Sequence, residues 1–211
     1  MKKVRIIDYY LGNIFSVARA FESFGCDVKT VNTPEGLEDA DHIVLPGVGA
    51  FGEGMRRLNE RGMSGPIRDV AASGKPLMGI CLGMQLLFSF SEEFGRHEGL
   101  GIIPGGVKRL PEQPGVKIPH IGWGSIVPYG DKGEEVWDGS ILKKVRKGKD
   151  MYFVHSYAAC PEEDESWIAG TLFGENIFCS GVMKGNIYGF QFHPEKSGME
   201  GLKILEEFLK L

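Results

Sequence analysis

The sharpest chemical feature of this 211-residue sequence is Gly79-Ile80-Cys81-Leu82-Gly83. An apolar run over 76–80 ends, one cysteine stands at the junction, and a helical pattern begins. Glycines sit two residues before and two after the sulfur, where a strand-to-helix turn is too crowded for side chains. Such a turn raises a nucleophile above the strand end. The first turn of the helix then aims N–H groups at the thiol and lowers a pKa that starts near ~8.5. The Leu82 N–H is placed to stabilise an oxyanion. A cysteine without this setting is a small buried hydrophobe. Cys26, Cys160 and Cys179 read that way, because none combines paired glycines with a strand-to-helix switch.

A nucleophilic sulfur needs a base, and Gly189-Phe190-Gln191-Phe192-His193-Pro194-Glu195 offers one at the end of an apolar strand. In extended chain, residues i and i+2 point the same way, so His193 and Glu195 are expected on one side. Pro194 blocks helix there. An imidazole held by a carboxylate can move a proton both to and from a cysteine. Two other readings compete: a surface histidine, or a metal site. The metal site would need another histidine to converge, whereas His42, His97, His120 and His155 are scattered along the chain.

Two further loops carry candidates. Pro46-Gly47-Val48-Gly49-Ala50-Phe51-Gly52 lacks the Lys-Ser/Thr of a phosphate loop and is not G-x-G-x-x-G. Its best use is to present the Val48 N–H as a second oxyanion donor; the alternative is a plain tight turn. Pro119-His120-Ile121-Gly122-Trp123-Gly124 sets a tryptophan on a loop, either partly buried or as an interface anchor. His155, in Tyr152-Phe153-Val154-His155-Ser156-Tyr157, reads as a satisfied core or strand-end histidine.

The elements that must position these groups follow from apolar spacing. Residues 4–8, 27–31, 42–45 and 76–80 read as strands, the third ending at Pro46-Gly47. Residues 13–24, 55–58, 67–72 and 82–90 read as helices, with Gly25 as a stop for the first. Alternation of the two predicts an α/β fold with a largely parallel sheet covered on both faces. In the second half, 107–110, 152–157, 167–172, 178–183 and 187–192 read as short antiparallel strands that extend or flank that sheet. Leu202, Leu205, Phe208 and Leu209 make 201–211 a closing amphipathic helix. Glu134-Glu135 and 161–165 read as charged, solvated loops.

Composition excludes several classes. With 42% apolar and 25% charged residues the chain is expected to be globular and soluble, as one domain over 1–211. The 31 glycines are about twice the usual share of ~7%, and read as tight turns and close backbone approaches. A net charge of −4 without a basic run argues against nucleic acid as a partner. No 18-residue apolar stretch occurs, which predicts no membrane span. The four cysteines form no C-x-x-C pair, so neither a zinc ribbon nor a disulfide framework is expected. No leader is visible before Asp8, and the expected address is the cytoplasm.

Taken together, these motifs resemble the class I glutamine amidotransferase family over nearly the whole chain, from about Val4 to Leu209. Gly-x-Cys-Leu-Gly-x-Gln at 79–85 with His193-Pro194-Glu195 is specific for the class. Pro46 to Phe51, Tyr152 to Tyr157 and Phe190 to Ser197 are similar to its histidine-pathway subgroup, the glutaminase subunits of imidazole glycerol phosphate synthases. The resemblance implies that Cys81 attacks the side-chain amide of L-glutamine, with His193 as proton carrier and Glu195 as its orienter. The oxyanion would meet the N–H groups of Leu82 and Val48. Gln85 and Glu93, helped by Gly47, Gly49, Ser156 and Tyr157, would hold the rest of the substrate. Neither metal nor cofactor is implied. Ammonia would pass within a heterodimer to a (β/α)₈-barrel synthase/cyclase subunit, with Asn13, Trp123, Tyr152 and Lys196 facing it. Two positions depart from the subgroup. Tyr9-Tyr10-Leu11 precedes Gly12-Asn13-Ile14 where a glycine-rich turn is usual, and Gly124 follows Trp123 where asparagine is usual. A partner that aminates surface-polysaccharide sugars is the alternative.

Overall fold

A computed structural model describes residues 1–129 and 135–211. The first half alternates as its spacing predicts: β1 (Lys3–Ile7), α1 (Ile14–Glu22), β2 (Asp27–Val31), β3 (His42–Gly47), α2 (Phe51–Glu60), α3 (Ser64–Ala72) and β4 (Leu77–Cys81). Strand β1 buries Val4, Ile6 and Ile7, the continuous apolar run of a strand covered on both faces. Arg5 is buried among them. Its guanidinium reaches out to Asp39 at 2.8 Å and Asp27 at 3.0 Å, which satisfies the charge and ties β1 to the flanking loops.

Two boundaries differ from the spacing. Strand β3 does not stop before Pro46: Pro46 pairs with Ile80 and Gly47 with Cys81 in the parallel register. The proline tolerates this because only its missing N–H side is forfeited at the strand end. The expected helix over 82–90 is one short turn, α4 (Leu82–Leu86), followed by β5 (Phe88–Ser91). Phe-Ser-Phe-Ser alternates with period two, and pairing of Phe88 with Ile103 gives its aromatic residues a sheet to pack on.

The remaining strands are β6 (His97–Glu98), β7 (Ile103–Arg109), β8 (His120–Pro128), β9 (Lys149–His155), β10 (Tyr157–Pro161), β11 (Trp167–Phe173), β12 (Asn176–Lys184) and β13 (Ile187–Phe190). The expected strand over 152–157 is broken at Ser156, where β9 hands over to β10. Helices α5 (Glu135–Asp138) and α6 (Gly198–Phe208) complete the α-helices among the described residues. Glu134 of the expected acidic loop lies outside the described residues, and Glu135 opens α5. Trp123 stands within β8, not on a loop.

Among the described residues the sheet runs β2-β1-β3-β4-β13-β12-β10-β7-β5-β6, with β11, β8 and β9 branching from β12. Strands β2 through β13 in that order are mutually parallel. This corrects the antiparallel expectation for 187–192. That strand enters the sheet beside β4, with Gly189 opposite Gly79 and Phe190 opposite Ile80, and meets only β12 antiparallel. The insertion sets the strand leading to His193 next to the strand leading to Cys81. No helix among the described residues is long and apolar enough to cross a membrane.

Candidate active site

Cys81 closes β4 at φ 55 and ψ −111, a left-handed backbone that a side chain rarely adopts. The two glycines explain how the turn fits. A Cβ on Gly79 would sit 2.7 Å from the Gly83 carbonyl oxygen and the Met84 nitrogen, and a Cβ on Gly83 would overlap the Leu45 carbonyl. Gly83→Ala is therefore expected to cost about 3 kcal/mol and lower the melting temperature by roughly 10 °C, read by thermal denaturation. The helix behind the cysteine has only five residues, so local N–H groups, rather than a long dipole, face the sulfur.

The structure brings the predicted base and orienter together. His193 Nδ1 lies 2.8 Å from Glu195 Oε1, and both side chains are at most 3% exposed. The route differs from the expected extended chain. His193 is extended, but Pro194–Lys196 form a 3₁₀ turn that folds the carboxylate back under the ring. Strand β9 holds this turn: the His193 N–H donates to the Tyr152 carbonyl at 2.9 Å. Ser197 Oγ donates to the His193 carbonyl at 2.6 Å and accepts from the Tyr152 N–H at 3.0 Å. Ser197 is a positioning residue that the motif contained but residue chemistry alone did not single out.

Burial depresses the imidazole pKa, but the Cys81 sulfur and the Glu195 carboxylate outweigh it and raise His193 to about 9. The ring's Nε2 makes no regular hydrogen bond among the described residues. It is the atom left to exchange a proton at the sulfur. The Cys81 thiol is itself 3.8 Å from the Val154 carbonyl of β9.

A cleft of about 220 Å³ opens beside the cysteine. Val48, Gly49, Leu82, Gln85, Glu93, Ser156 and Tyr157 all line it, so the predicted oxyanion and substrate positions converge. Gly47 lies beneath, in register with Cys81, where a Cβ would overlap the Tyr9 hydroxyl. Glu93 has one oxygen engaged, accepting from the Phe51 N–H at 2.6 Å at the start of α2. Gln85 donates from Nε2 to the Tyr157 carbonyl and to Gln191 Oε1, each at 2.9 Å, leaving its own oxygen for a ligand. His155 also borders the cleft, and burial pushes its pKa down to about 3, so it is neutral. Gln191 was not predicted to have a role. Its sequence signal is an amide between two buried phenylalanines.

The four expected partner-facing residues divide. Trp123, 58% exposed, meets Tyr152 edge-on at 5.9 Å. Lys196 Nζ lies 5.8 Å over the Tyr152 ring, and Tyr152 is tilted against His193 at 6.4 Å. These three form one cluster beside the base. Asn13 stands apart as the N-cap of α1, its side chain accepting from the Ser16 N–H. The two departures have physical accommodations. Tyr10 takes the left-handed φ of 62 that a glycine-rich turn supplies; Arg57 donates to its carbonyl at 2.8 Å and Arg61 stacks on its ring at 4.1 Å. Gly124 faces Thr171 and Phe153, which would meet a Cβ at 3.1 and 3.3 Å.

The comparisons agree with this geometry. The class-I glutamine amidotransferase family profile matches residues 5–211. The chain is 47% identical over 216 residues to the imidazole glycerol phosphate synthase subunit HisH 1 of Legionella pneumophila (strain Lens), covering 100% of both. It is 43% identical over 208 residues to the chloroplastic imidazole glycerol phosphate synthase hisHF of Arabidopsis thaliana, covering 98% of this chain and 34% of that protein. Its fold is similar to the solved structure of PurLQS from Thermotoga maritima, with a TM-score of 0.73 at 19% identity over 99% of this chain and 98% of that one. A glycine-flanked cysteine turn, a carboxylate-held imidazole and a whole-length sequence match therefore lead to one assignment: the chain belongs to the class-I glutamine amidotransferase family.

Proposed function

We propose that this chain, as one glutaminase domain over 1–211, is the ammonia-supplying subunit of an imidazole glycerol phosphate synthase. It hydrolyses L-glutamine to glutamate and ammonia. It delivers the ammonia within a heterodimer to a (β/α)₈-barrel cyclase that forms imidazole glycerol phosphate and AICAR in histidine biosynthesis. The observation that carries this reading is the elbow sulfur beside a carboxylate-held imidazole, in a chain matched end to end by subunits of that synthase. In the Arabidopsis relative the matched region is about a third of a longer protein, which fits a domain that works joined to another. The four cysteines are all free thiols, which supports a reducing, cytoplasmic address.

The chemistry follows from the atoms present. Cys81 Sγ, as thiolate, attacks the amide carbon of glutamine, and the carbonyl oxygen becomes an oxyanion facing the Leu82 and Val48 N–H groups. The C–N bond breaks as the His193 imidazolium gives its proton to nitrogen, and ammonia leaves. Neutral His193 then takes a proton from water, whose oxygen attacks the thioester. The C–S bond breaks, releasing glutamate and restoring the thiolate–imidazolium pair. Gln85 and Glu93 hold the amino-acid end of the substrate, with Gly49, Ser156 and Tyr157 shaping the cleft.

The cluster of exposed Trp123 and Lys196 around half-buried Tyr152 supports docking of the barrel subunit next to the base. Purified with the barrel partner and its phosphorylated ribulosyl ligand, the native chain is expected to turn over glutamine faster than alone, by reorienting the Val48 peptide. Equal rates would refute the coupling. Trp123→Ala is expected to weaken the complex about 30-fold in titration calorimetry, the loss of about 2 kcal/mol typical of an aromatic anchor.

A further inference from the structure

Behind the nucleophile the polar side chains form a chain with one direction. Its head is the Tyr157 carbonyl, which only accepts hydrogen bonds. Gln85 must therefore present Nε2 to it, at 2.9 Å, and the same nitrogen's second hydrogen goes to Gln191 Oε1 at 2.9 Å. Flipping Gln85 would set its oxygen against the Tyr157 carbonyl, and flipping Gln191 would set two NH₂ groups against each other. Gln191 is consequently left with only Nε2 on its far side, and that nitrogen lies 3.7 Å from Cys81 Sγ. On the other side of the carbonyl, His155 Nδ1 at 2.9 Å carries its proton and His155 Nε2 accepts from His120 Nδ1 at 3.3 Å. Each orientation supports the next.

Gln191 is 0% exposed between Phe190 and Phe192, where an apolar side chain would avoid the cost of burying an amide. The amide is instead spent on the sulfur. We propose that Gln191 is a catalytic residue whose Nε2–H donates to the Cys81 thiolate; this rests on the reading of Cys81 as the nucleophile. Hydrogen bonds to an ionised acceptor are about twice as strong as neutral ones, so the contact strengthens as the sulfur becomes negative and weakens in the thioester. It raises the thiolate fraction before attack and stabilises the sulfur as it leaves in deacylation. It also makes the thiolate less nucleophilic, but the first effect wins. One unit of thiol pKa is tenfold in thiolate fraction, against about threefold in intrinsic reactivity at a Brønsted slope of ~0.4–0.5.

The charged and titratable groups around Cys81 are His193 with Glu195 behind it, the Tyr9 hydroxyl and, lining the same cleft, Glu93, His155 and Tyr157. Gln191 adds a neutral N–H donor within hydrogen-bond distance of the sulfur. The test is the pH dependence of iodoacetamide alkylation, read by mass spectrometry on the Cys81 peptide because Cys160 is exposed and reacts as well. In Gln191→Met, which matches the length but cannot donate, the midpoint is expected to rise by about one pH unit. In Gln191→Glu, which keeps an acceptor for Gln85 but sets a carboxylate by the sulfur, it is expected to rise further. A packing role would lower the melting temperature without moving the midpoint, and that outcome overturns the proposal. Native protein provides a check free of folding defects. The Gln191 side-chain amide proton, followed by NMR, should shift with the thiol titration, and the shift should vanish in Cys81→Ala. An amide that ignores the titration also overturns it. If the native complex fails to hydrolyse glutamine while the midpoint still moves, the proposed function fails and the Gln191 contact stands.

Discussion

Cys81→Ala is expected to abolish ammonia release from glutamine, lowering kcat by a factor of about 10⁵ in the assembled complex. On the proposed reading the sulfur forms the acyl intermediate, and neither the backbone donors nor His193 can replace a missing nucleophile. Alanine keeps the fold, because the methyl fits where the cysteine Cβ already stands. The elbow's backbone carries a second expectation. At φ 55 and ψ −111 a non-glycine residue stores about 1–3 kcal/mol. Cys81→Gly removes that strain, so it should be as inactive as the alanine variant yet melt several degrees above it. Ammonia release measured by a coupled assay, alongside scanning calorimetry of both variants, checks the pair. Residual turnover above about one per cent in either variant would disprove the nucleophile assignment. A glycine variant that melts below the alanine variant would disprove the strain.

Glu195→Gln is expected to cut kcat/KM by about 10³-fold and to move its alkaline limb. In the native chain burial lowers the His193 pKa, while Cys81 and Glu195 raise it to a net value of about 9. The imidazolium must be present to protonate the departing nitrogen, so kcat/KM should fall as pH rises through about 9. The glutamine side chain keeps the hydrogen bond but not the charge. One of the two groups raising the pKa is lost, and the limb should move down towards the ordinary value of ~6.5. The same sign governs stability. A histidine pKa raised in the folded state contributes stability fully present below ~6.5 and lost as pH rises through about 9. The variant should lose part of this alkaline slope in denaturation experiments. A pH profile of Glu195→Gln with its limb still near 9 would show that the carboxylate does not hold the proton.

Much of the site was legible because its signals are local. The glycines around Cys81 mark a crowded turn: a Cβ on Gly79 would strike the turn's own Gly83 carbonyl, and one on Gly83 the Leu45 carbonyl of the neighbouring strand. The Gln85 and Glu93 positions came from the family motif, and they line the cleft. The helix over 82–90 was over-extended because an apolar run of that length satisfies either period, and only pairing with β7 selects the strand. His193 and Glu195 do share a side, but through a 3₁₀ turn clamped by Ser197, a contact between strand β9 and a loop that spacing cannot reveal. Tyr10 took a left-handed turn without glycine because Arg57 and Arg61, a helix away, hold it there.

The amino-acid order by itself determined a cysteine at a strand-to-helix turn, an imidazole with its carboxylate and a largely parallel α/β frame. These depend on residue type and on neighbours within a few positions, where sterics and periodicity act. Tertiary structure alone decided that the sulfur and the imidazole meet, by sliding β13 parallel between β4 and β12. It also decided which way every buried amide behind the sulfur faces. Strand partners and hydrogen-bond directions are choices among many distant groups, and only the packed chain, where each donor must find an acceptor, leaves a single arrangement.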